Sequence, residues 1–447
     1  MKLRQPIITF VGHIDHGKTS LQDYIRQSSI TKTEAGKITQ HIGSSNIPLE
    51  IIKKLCGKLL DTLKLNLTIP GLLFIDTPGH AAFTSLRKRG GNLADIAILV
   101  INISEGIMPQ TLECIDILKQ YKTPFIIALN KIDLLQGWQS KNIFLLQNIN
   151  SQSETIQKLL DTKLYELVGK LSELGFNAER FDRIEDYTKQ IAIVPTSAKT
   201  GEGIPELLMV LTGLAQKFME QSLKINIKGN ARGTILEVKE EKSIGKTIDV
   251  IIYDGTLKQN DIIVIGTLDE PIATKVKALL EPIPLADMRD KKTKFSSVKQ
   301  VLAASGVKIF SPELENVVAG MPLRSCSENE IEKVKQEIKK EVEEVIIETD
   351  MQGIVIKADS LGSLEALTKL LKEKNIPVKK ASIGNISKKD ISDASISYEK
   401  DPLHAAVLGF NVELMPDVQV KNVKVIKNNV IYKLIENLTE FQTEKQN

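Results

Sequence analysis

A glycine-rich segment that can bind phosphate follows the first apolar run of the chain. Residues 12–19 read Gly-His-Ile-Asp-His-Gly-Lys-Thr, which fills the pattern GxxxxGK[ST] directly after the run IITFV. In such a loop the backbone N–H groups and the N-terminus of the following helix form a concave site for di- and triphosphates. Lys18 then places a positive charge against the β- and γ-phosphates, and the Thr19 hydroxyl binds Mg²⁺. The segment predicts a nucleotide phosphate site but does not specify the base.

A second motif, Asp76-Thr77-Pro78-Gly79-His80, follows the apolar run LLFI. Asp76 comes at the end of a predicted strand, where its carboxylate can hold the same metal ion as Thr19, directly or through water. The backbone N–H of Gly79 can approach a γ-phosphate. A plain turn is the alternative for this sequence, and the phosphate loop upstream favours the metal-binding interpretation.

Two further segments predict the base. Asn130-Lys131-Ile132-Asp133 ends the run PFIIALN, and a carboxylate such as Asp133 can accept from the ring N–H and the exocyclic amine of guanine. Adenine has no matching donors at that edge, and pockets built on such hydrogen bonds reject the analogue by roughly 10⁴ to 10⁵. Thr196-Ser197-Ala198-Lys199 follows the run IAIVP and supplies a backbone N–H for the guanine oxygen and a lysine stem over the ring. Alone this segment is more typical of a helix N-cap.

Short apolar runs that alternate with helical patterns must position these four motifs. From residue 7 to about residue 220 the runs IITFV, LLFID, AILVINI, PFIIALN and IAIVPTS each end at polar or glycine-containing turns. This alternation predicts a mostly parallel sheet with helices on both faces, and ligands bind outside the carboxyl ends of such strands. A last helix begins near Pro205 and is predicted to cover the sheet with Leu207, Leu211, Leu214 and Phe218.

The pattern changes beyond residue 230, where short alternating segments predict a small β-barrel. Ser327 and Glu330 then form a capping box for a charged connector helix, and alternation after about residue 350 predicts a small α/β sandwich. The predicted fold is therefore α/β and multidomain, and it begins with a P-loop domain. The predicted divisions are a GTP-binding domain at 1–222, a β-barrel at 223–326, a connector helix at 327–349, an α/β sandwich at 350–428 and the start of a long linker helix at 429–447.

Composition restricts the class of protein. A chain of 447 residues corresponds to about three domains, and its net charge of +3, with 26% charged and 42% hydrophobic residues, is that of an ordinary globular protein. Cys56, Cys114 and Cys326 lie far apart without CxxC spacing, which argues against a thiolate zinc site or a disulfide framework. The sequence has no signal-peptide pattern and no apolar run near the roughly 20 residues of a membrane span. We expect a monomeric cytoplasmic protein with no membrane contact.

The wording of the motifs resembles that of the translational GTPases. GHIDHGKT together with DTPGH is typical of this class rather than of Ras-like or kinase P-loops. Within the class, residues 35–43, AGKITQHIG, and the stretch from DTPGHAAFTSLRKRGG to SEGIMPQT resemble initiation factor 2 and its archaeal and eukaryotic 5B-type relatives. The roughly 30 residues between Gly43 and Asp76 resemble the archaeal and eukaryotic branch. The close match covers the first domain. The later domains agree with this family in their order and in their pattern of apolar and polar residues.

The resemblance implies a translation initiation GTPase that promotes the joining of ribosomal subunits and hydrolyses GTP when the ribosome stimulates it. It implies that Thr39 binds Mg²⁺ and senses the γ-phosphate, although this chain has Gly36-Lys37 where the family usually has Gly-Gly. Hydrolysis would release two loops that GTP holds through Thr39 and Gly79. The resemblance also implies that His80 positions the attacking water. An ordinary loop for Thr39 and a non-catalytic histidine for His80 are the alternatives.

Weaker implications of the resemblance concern Ile14 and Ile38, which would flank the water path, and Asp15, which would hold a monovalent cation near the phosphates. Mg²⁺ is the predicted cofactor. The predicted site residues are His80 for catalysis; Ile14, Asp15, His16, Gly17, Lys18, Thr19, Ser20, Thr39, Gly79, Asn130, Lys131, Asp133, Ser197, Ala198 and Lys199 for GTP; and Thr19, Thr39 and Asp76 for the metal.

The expected partners are GTP or GDP, the ribosomal subunits with their RNA and proteins, and other initiation factors. Family members carry a further barrel after the long helix, which binds initiator tRNA, and the sequence ends within that helix; we expect the initiator tRNA contact to be lost. Two alternatives remain open at this point. One is a GTP-gated ribosome assembly factor, in which His80→Ala leaves the biological output intact, and the other is an elongation-type factor, which a tRNA-binding assay would identify.

Overall fold

A computed structural model describes most of the chain. The described residues are 3–27, 43–63, 67–76, 87–88, 91–220, 223–224, 229–241, 245–267, 270–282, 295–314, 316–343, 353–398, 402–416, 418–420 and 423–446. Four residues of the predicted site or water path, Ile38, Thr39, Gly79 and His80, lie outside these ranges. None of the helices in the described ranges is long and apolar enough to cross a membrane.

A seven-stranded sheet occupies the N-terminal part of the chain, in the strand order β2-β3-β1-β6-β7-β9-β8. Its strands are β1 (Ile7–Val11), β2 (Gly43–Pro48), β3 (Gly71–Asp76), β6 (Ile96–Asn102), β7 (Phe125–Asn130), β8 (Ala178–Arg180) and β9 (Ile191–Pro195). Only β2 runs antiparallel to its neighbour, and β4 (Arg87–Lys88) and β5 (Gly91–Asn92) form a separate pair. Every residue of β1 and β6 is buried, so both faces of the sheet are covered.

Helices connect these strands as the alternation predicts. They are α1 (Lys18–Gln27), α2 (Leu49–Cys56), α3 (Pro109–Gln120), α4 (Leu145–Ser151), α5 (Glu154–Glu173) and α6 (Ile204–Phe218). Along α6 Leu207 and Leu211 are fully buried and Leu214 is half-buried, whereas Phe218 in the last turn is 45% exposed. The prediction that Phe218 helps to cover the sheet is therefore wrong, because the covering face ends one turn earlier.

An antiparallel sheet of eight strands follows, in the order β14-β13-β19-β10-β11-β18-β15-β16. Its strands are β10 (Arg232–Glu241), β11 (Gly245–Asp254), β13 (Ile262–Ile265), β14 (Ile272–Lys275), β15 (Ala278–Pro282), β16 (Phe295–Ser297), β18 (Ser305–Phe310) and β19 (Pro322–Cys326), while β12 (Thr256–Lys258) pairs with β17 (Gln300–Leu302). This β-rich part packs on the first sheet through a buried cluster that includes Ile7, Leu73 and Ile75 from the first sheet and Leu236 and Ile251 from the second.

The connector helix is α7 (Ile331–Glu343), and it lies against the antiparallel sheet. Its predicted capping box is present, because the Glu330 carboxylate accepts from the Ser327 N–H at 3.2 Å. Ile338 and Val342 are buried, and the Arg324 guanidinium donates to Glu337 at 2.7 Å from the strand beneath the helix. The helix is therefore fastened to the sheet by apolar contacts and by an ion pair.

A third sheet of four parallel strands lies near the end of the chain, in the order β21-β20-β22-β23. Its elements are β20 (Ile354–Ala358), β21 (Val378–Ile383), β22 (Ala406–Phe410) and β23 (Lys424–Asn428), with α8 (Leu361–Glu373), α9 (Lys388–Tyr398) and α10 (Ile431–Gln446). Ile431, Leu434, Ile435 and Leu438 of α10 are buried. The amphipathic stripe of the last helix therefore packs against this sheet. The order of an α/β unit, a β-rich unit and a second α/β unit agrees with the predicted fold class.

Candidate nucleotide-binding site

The phosphate loop is a tight turn between β1 and α1. Gly12 and Gly17 have φ angles of 136° and 93°, which residues other than glycine rarely adopt. A Cβ on Gly12 would lie 2.4 Å from the Val100 carbonyl oxygen, and one on Gly17 would lie 2.3 Å from Nδ2 of Asn130. Asp15 has a φ of 62° and is exposed. The glycines are thus required both for the backbone path and for close contact with neighbouring strands.

The Lys18 ammonium lies across the mouth of this loop. Its Nζ donates to the carbonyl oxygen of Gly12 at 2.8 Å and to that of His13 at 2.6 Å. The positive charge is therefore already placed where phosphate oxygens would approach the loop, and phosphate binding would exchange carbonyl acceptors for stronger anionic ones. Thr19 is half-buried in the first turn of α1, and Ser20 beside it is exposed.

His16 points into the protein rather than toward the mouth of the loop. Its imidazole is fully buried, with Nδ1 3.2 Å from the backbone N of Asn102 and 3.3 Å from the Val100 oxygen. Burial lowers the pKa of His16, so the neutral ring accepts from the Asn102 N–H, and Nε2 then faces the Glu105 carboxylate at 3.4 Å. The side chain therefore anchors the loop to β6, and the backbone N–H of His16 donates to the His13 carbonyl oxygen at 3.4 Å within the loop.

Asp76 is brought beside the phosphate loop by the sheet. It ends β3, next to β1, and it is in register with Phe10, two residues before Gly12. Only its backbone is described. No cluster of three or more His, Cys, Asp and Glu side chains that could hold a metal occurs in the described ranges. A hydroxyl, one carboxylate and phosphate oxygens form a donor set of hard oxygens, which suits Mg²⁺ and needs no such cluster.

Asn130 joins the phosphate loop to the two segments predicted to bind the base. Its side chain is buried, its Nδ2 donates to the His16 carbonyl oxygen at 2.9 Å, and its Oδ1 accepts from the Ala198 N–H at 3.1 Å. One amide group therefore holds three predicted motifs at fixed spacing, which sequence reasoning had placed only at the same edge of the sheet.

Asp133 is oriented by the segment that follows β9. Lys131 adopts a left-handed conformation with a φ of 68°, and a single 3₁₀ turn, Ile132–Leu134, follows it. The Ser197 hydroxyl donates to Oδ1 of Asp133 at 2.6 Å, and the Thr196 carbonyl accepts from the Ile132 N–H at 3.2 Å. The carboxylate predicted to recognise guanine is therefore held by a buried serine.

The remaining predicted residues lie at the surface of the same region. Ile14 is 48% exposed, and its N–H donates to Oε1 of Gln110 at 3.0 Å. Lys199 is also exposed. The site described here thus unites the predicted residues from the loop, from 130–133 and from 196–199.

The sequence motifs do not identify Glu202 as part of the site. The Glu202 carboxylate is buried behind the Ser197–Lys199 segment, and it accepts from the Trp138 indole N–H at 3.2 Å. The only sequence signal is its place in Thr-Gly-Glu-Gly, three residues after Lys199. The spacing along the chain gives no hint of the contact, because the partners are 64 residues apart.

Two protein-family models match the chain. The model described as the elongation factor Tu GTP binding domain matches residues 3–217, and the model described as translation-initiation factor 2 matches residues 324–439. The first match includes the phosphate loop and the base-binding segments described above. The second begins in β19 and reaches into α10.

Known proteins similar to the chain agree with these matches. A protein of Thermococcus sibiricus named probable translation initiation factor IF-2 is 53% identical over 441 residues, which is 97% of this chain and 74% of that protein. One of the same name from Methanopyrus kandleri is 56% identical over 412 residues, 92% of this chain and 69% of the relative. A crystal structure of GDP-bound aIF5B from Aeropyrum pernix is 45% identical, with a TM-score of 0.90, covering 100% of this chain and 75% of that one.

Proposed function

The chain belongs to the translation initiation factor IF-2 family, and from that premise we propose that it uses GTP hydrolysis to control the joining of ribosomal subunits. As a translational GTPase of this family it binds and hydrolyses GTP and acts as a switch in initiation. Its partners in this proposal are the two ribosomal subunits and other initiation factors, and its place of action is the cytoplasm, where translation proceeds. In this proposal the boundaries between the domains lie at about residues 222, 326, 349 and 428.

The bridging amide of Asn130 is the observation that carries the assignment of the nucleotide site. It connects the carbonyl of His16 to the N–H of Ala198, so the phosphate loop and the base segment are held together as one cradle. We assign the phosphates to the loop with Lys18, and the guanine to Asp133 and the stem of Lys199. The backbone N–H of Ala198, which donates to Asn130 Oδ1 here, would share its proton with the guanine oxygen when the base is bound. Ile14, Asp15, Gly17, Thr19, Ser20, Lys131 and Ser197 complete the GTP-binding set.

Mg²⁺ fits the oxygen donors of Thr19, Thr39 and Asp76 in this proposal. The ion, when bound, neutralises charge on the β- and γ-phosphates. Thr19 is at the start of α1, and Asp76 ends β3, which pairs with β1 beside the phosphate loop. Asp15, exposed with a positive φ, is the candidate ligand for a monovalent cation.

We assign to His80 the positioning of the attacking water. A histidine, with an ordinary pKa of about 6.5, can hold a phosphate-bound water in the neutral or the charged form without large cost. Thr39 and Gly79 would hold their loops against the γ-phosphate, so hydrolysis would release both loops. In this proposal the large ribosomal subunit supplies a further charge or positioning element, and such elements are worth about 10³ to 10⁵ in rate.

Multiple-turnover GTP hydrolysis with and without ribosomal subunits tests the enzymatic part of the proposal, with ATP as the control nucleotide. We expect slow turnover by the protein alone and stimulation by about 10³-fold or more with ribosomes. His80→Ala should abolish the stimulation while GTP binding is retained. Equal rates with and without ribosomes, or equal hydrolysis of ATP, would contradict the proposal.

Light scattering by mixed ribosomal subunits tests the biological part. The scattering signal rises as subunits join, so the protein with GTP should accelerate the rise. Omission of GTP should remove the acceleration. If the rate of joining is the same with and without the protein, the role in subunit joining is wrong even if GTP is hydrolysed.

A further inference from the structure

We propose that Glu202 is a positioning residue for guanine recognition, which acts through Ser197 and Ala198. The fluorescence of Trp138, which contacts Glu202, reports on this role. The inference rests on the proposed function, because it deepens the assignment of the base site. Glu202 lies in the connection between β9 and α6, where its backbone closes the segment that carries Ser197, Ala198 and Lys199. The Ser197 N–H donates to the Glu202 carbonyl oxygen at 2.9 Å.

The segment 197–202 is folded on itself by short contacts. The Gly201 N–H donates to the Ser197 carbonyl at 2.8 Å, and the Thr200 N–H donates to the Ser197 hydroxyl oxygen at 3.2 Å. That hydroxyl in turn donates to Asp133. The position of the Ser197 hydroxyl, and with it the orientation of Asp133, therefore depends on how the loop is closed at Glu202.

The Glu202 side chain closes the loop from behind. Its carboxylate accepts from the Thr200 hydroxyl at 2.7 Å, from the Trp138 indole N–H at 3.2 Å and from Nδ2 of Asn148. Glu202 is only 5% exposed, and no Lys or Arg in the described ranges forms an ion pair with it. A carboxylate buried with neutral donors alone is costly unless every donor is well placed, so its environment is a rigid one.

A polar network extends this rigidity away from the nucleotide. The Asn148 side chain is fully buried, and its Oδ1 accepts from Gln152 Nε2 at 2.7 Å. Gln152 also donates to the Gln139 carbonyl oxygen at 2.8 Å, beside Trp138. The stretch from Trp138 to Gln152 thus serves as a fixed support for the base loop. Loss of the Glu202 carboxylate should free the loop and leave the phosphate loop in place.

Glu206 offers a matched control four residues further along. It is equally buried, and its Oε1 accepts from the Leu145 N–H at 2.7 Å, so it supports the same α4 as Glu202 does. Its side chain makes no hydrogen bond to residues 196–199 in the described ranges. A purely structural role for Glu202 predicts the same effect on nucleotide binding from changes at both positions, whereas the positioning role predicts an effect from Glu202 alone.

The test measures dissociation constants of the full chain for GDP, for IDP, which lacks the 2-amino group, and for ADP. Glu202→Ala should raise the GDP constant by about tenfold or more, the change expected for losing one well-placed hydrogen bond, and should narrow the preference for GDP over IDP. Glu202→Gln, which keeps one acceptor, should lie between wild type and Glu202→Ala. Glu206→Gln should stay within about twofold of wild type.

Emission from Trp138, the only tryptophan of the chain, supplies an independent readout. GDP should shift this emission in the wild type and in Glu206→Gln but not in Glu202→Ala. If Glu202→Ala fails to fold, Thr200→Val and Trp138→Phe each remove one donor to the carboxylate, and each should weaken binding of a fluorescent GDP analogue. Unchanged GDP affinity and GDP/IDP preference in the folded variants would overturn the inference, whereas a wild type that binds no GDP would overturn the proposed function instead.

Discussion

The phosphate end and the base end of the nucleotide site are built by different means. At the phosphate end the backbone conformation determines the geometry, because Gly12 and Gly17 let the loop contact β6 and β7. At the base end side chains carry the geometry, as Ser197 holds Asp133 and Glu202 holds the loop behind it. Changes at the first end should therefore act on every nucleotide alike, and changes at the second should act on the choice of base.

Gly12→Ala should have the largest effect of the changes considered. The new Cβ would meet the Val100 carbonyl oxygen, which is backbone and cannot swing aside, at a φ that alanine rarely adopts. We expect fluorescence titration to show loss of measurable binding for GDP, IDP and xanthosine diphosphate (XDP) alike. Gly169→Ala is the control, because Gly169 lies in α5 with open space around it and should leave binding unchanged. Selective loss of GDP alone would contradict the contrast between the two ends.

Asp133→Asn should come next, and it should act on selectivity. An asparagine presents a donor where the guanine edge also presents donors, so GDP affinity should fall by about 10⁴-fold, the discrimination that such pockets achieve. XDP, with an oxygen in place of the amine, should then bind better than GDP. Parallel titrations with both nucleotides measure the change. Equal weakening for both would place the effect in the phosphate loop or the fold instead.

Ser197→Ala should have a smaller effect at the same end. The serine hydroxyl makes a 2.6 Å bond to Asp133, and its removal leaves the carboxylate in place but less well oriented. We expect GDP to dissociate about three- to tenfold faster in stopped-flow measurements, as for one lost hydrogen bond. The rate for IDP should change less than that for GDP. A larger change for IDP would mean that Ser197 acts on something other than Asp133.

Glu206→Gln should have the smallest effect, on stability alone. Burial raises the pKa of Glu206, so the unfolded carboxyl ionises at lower pH than the folded one. Its contribution to stability therefore falls as pH rises from the unfolded pKa through the folded pKa. The variant should have a higher free energy of unfolding than the wild type at pH 8 and should lose this part of the pH dependence, as measured by urea titration. The stability of the variant relative to the wild type should be greater at pH 8 than at pH 5. The opposite order would contradict the predicted direction of the pH dependence.

The two ends also differ in how far the sequence could predict them. The phosphate loop is local, since its glycines, Lys18 and Thr19 lie within eight residues between a strand and a helix. The base end depends on contacts between distant segments, such as Asn130 with Ala198 and Glu202 with Trp138. The order of motifs predicted that these segments meet, because parallel strands end at one edge. The orientation of one side chain by another depends on how these distant segments pack together. No pattern along the chain encodes that packing.

His16 and Phe218 illustrate the same limit in residues that the pattern did name. The motif places the backbone of His16, but only the structure shows that its imidazole turns toward β6 and accepts from the Asn102 N–H. Helical spacing puts Phe218 on the covering face of α6, but burial depends on how far that helix extends over the sheet. Periodicity predicts a face, and only the surrounding structure decides where the face ends.

Calorimetric titration of the full chain with GDP, and separately with ADP, tests the central claim most directly. The claim is that the phosphate loop and the base segments form one cradle selective for guanine. It predicts heat that saturates at one GDP per chain and no heat with ADP. No heat with GDP, or equal heats with both nucleotides, would contradict it.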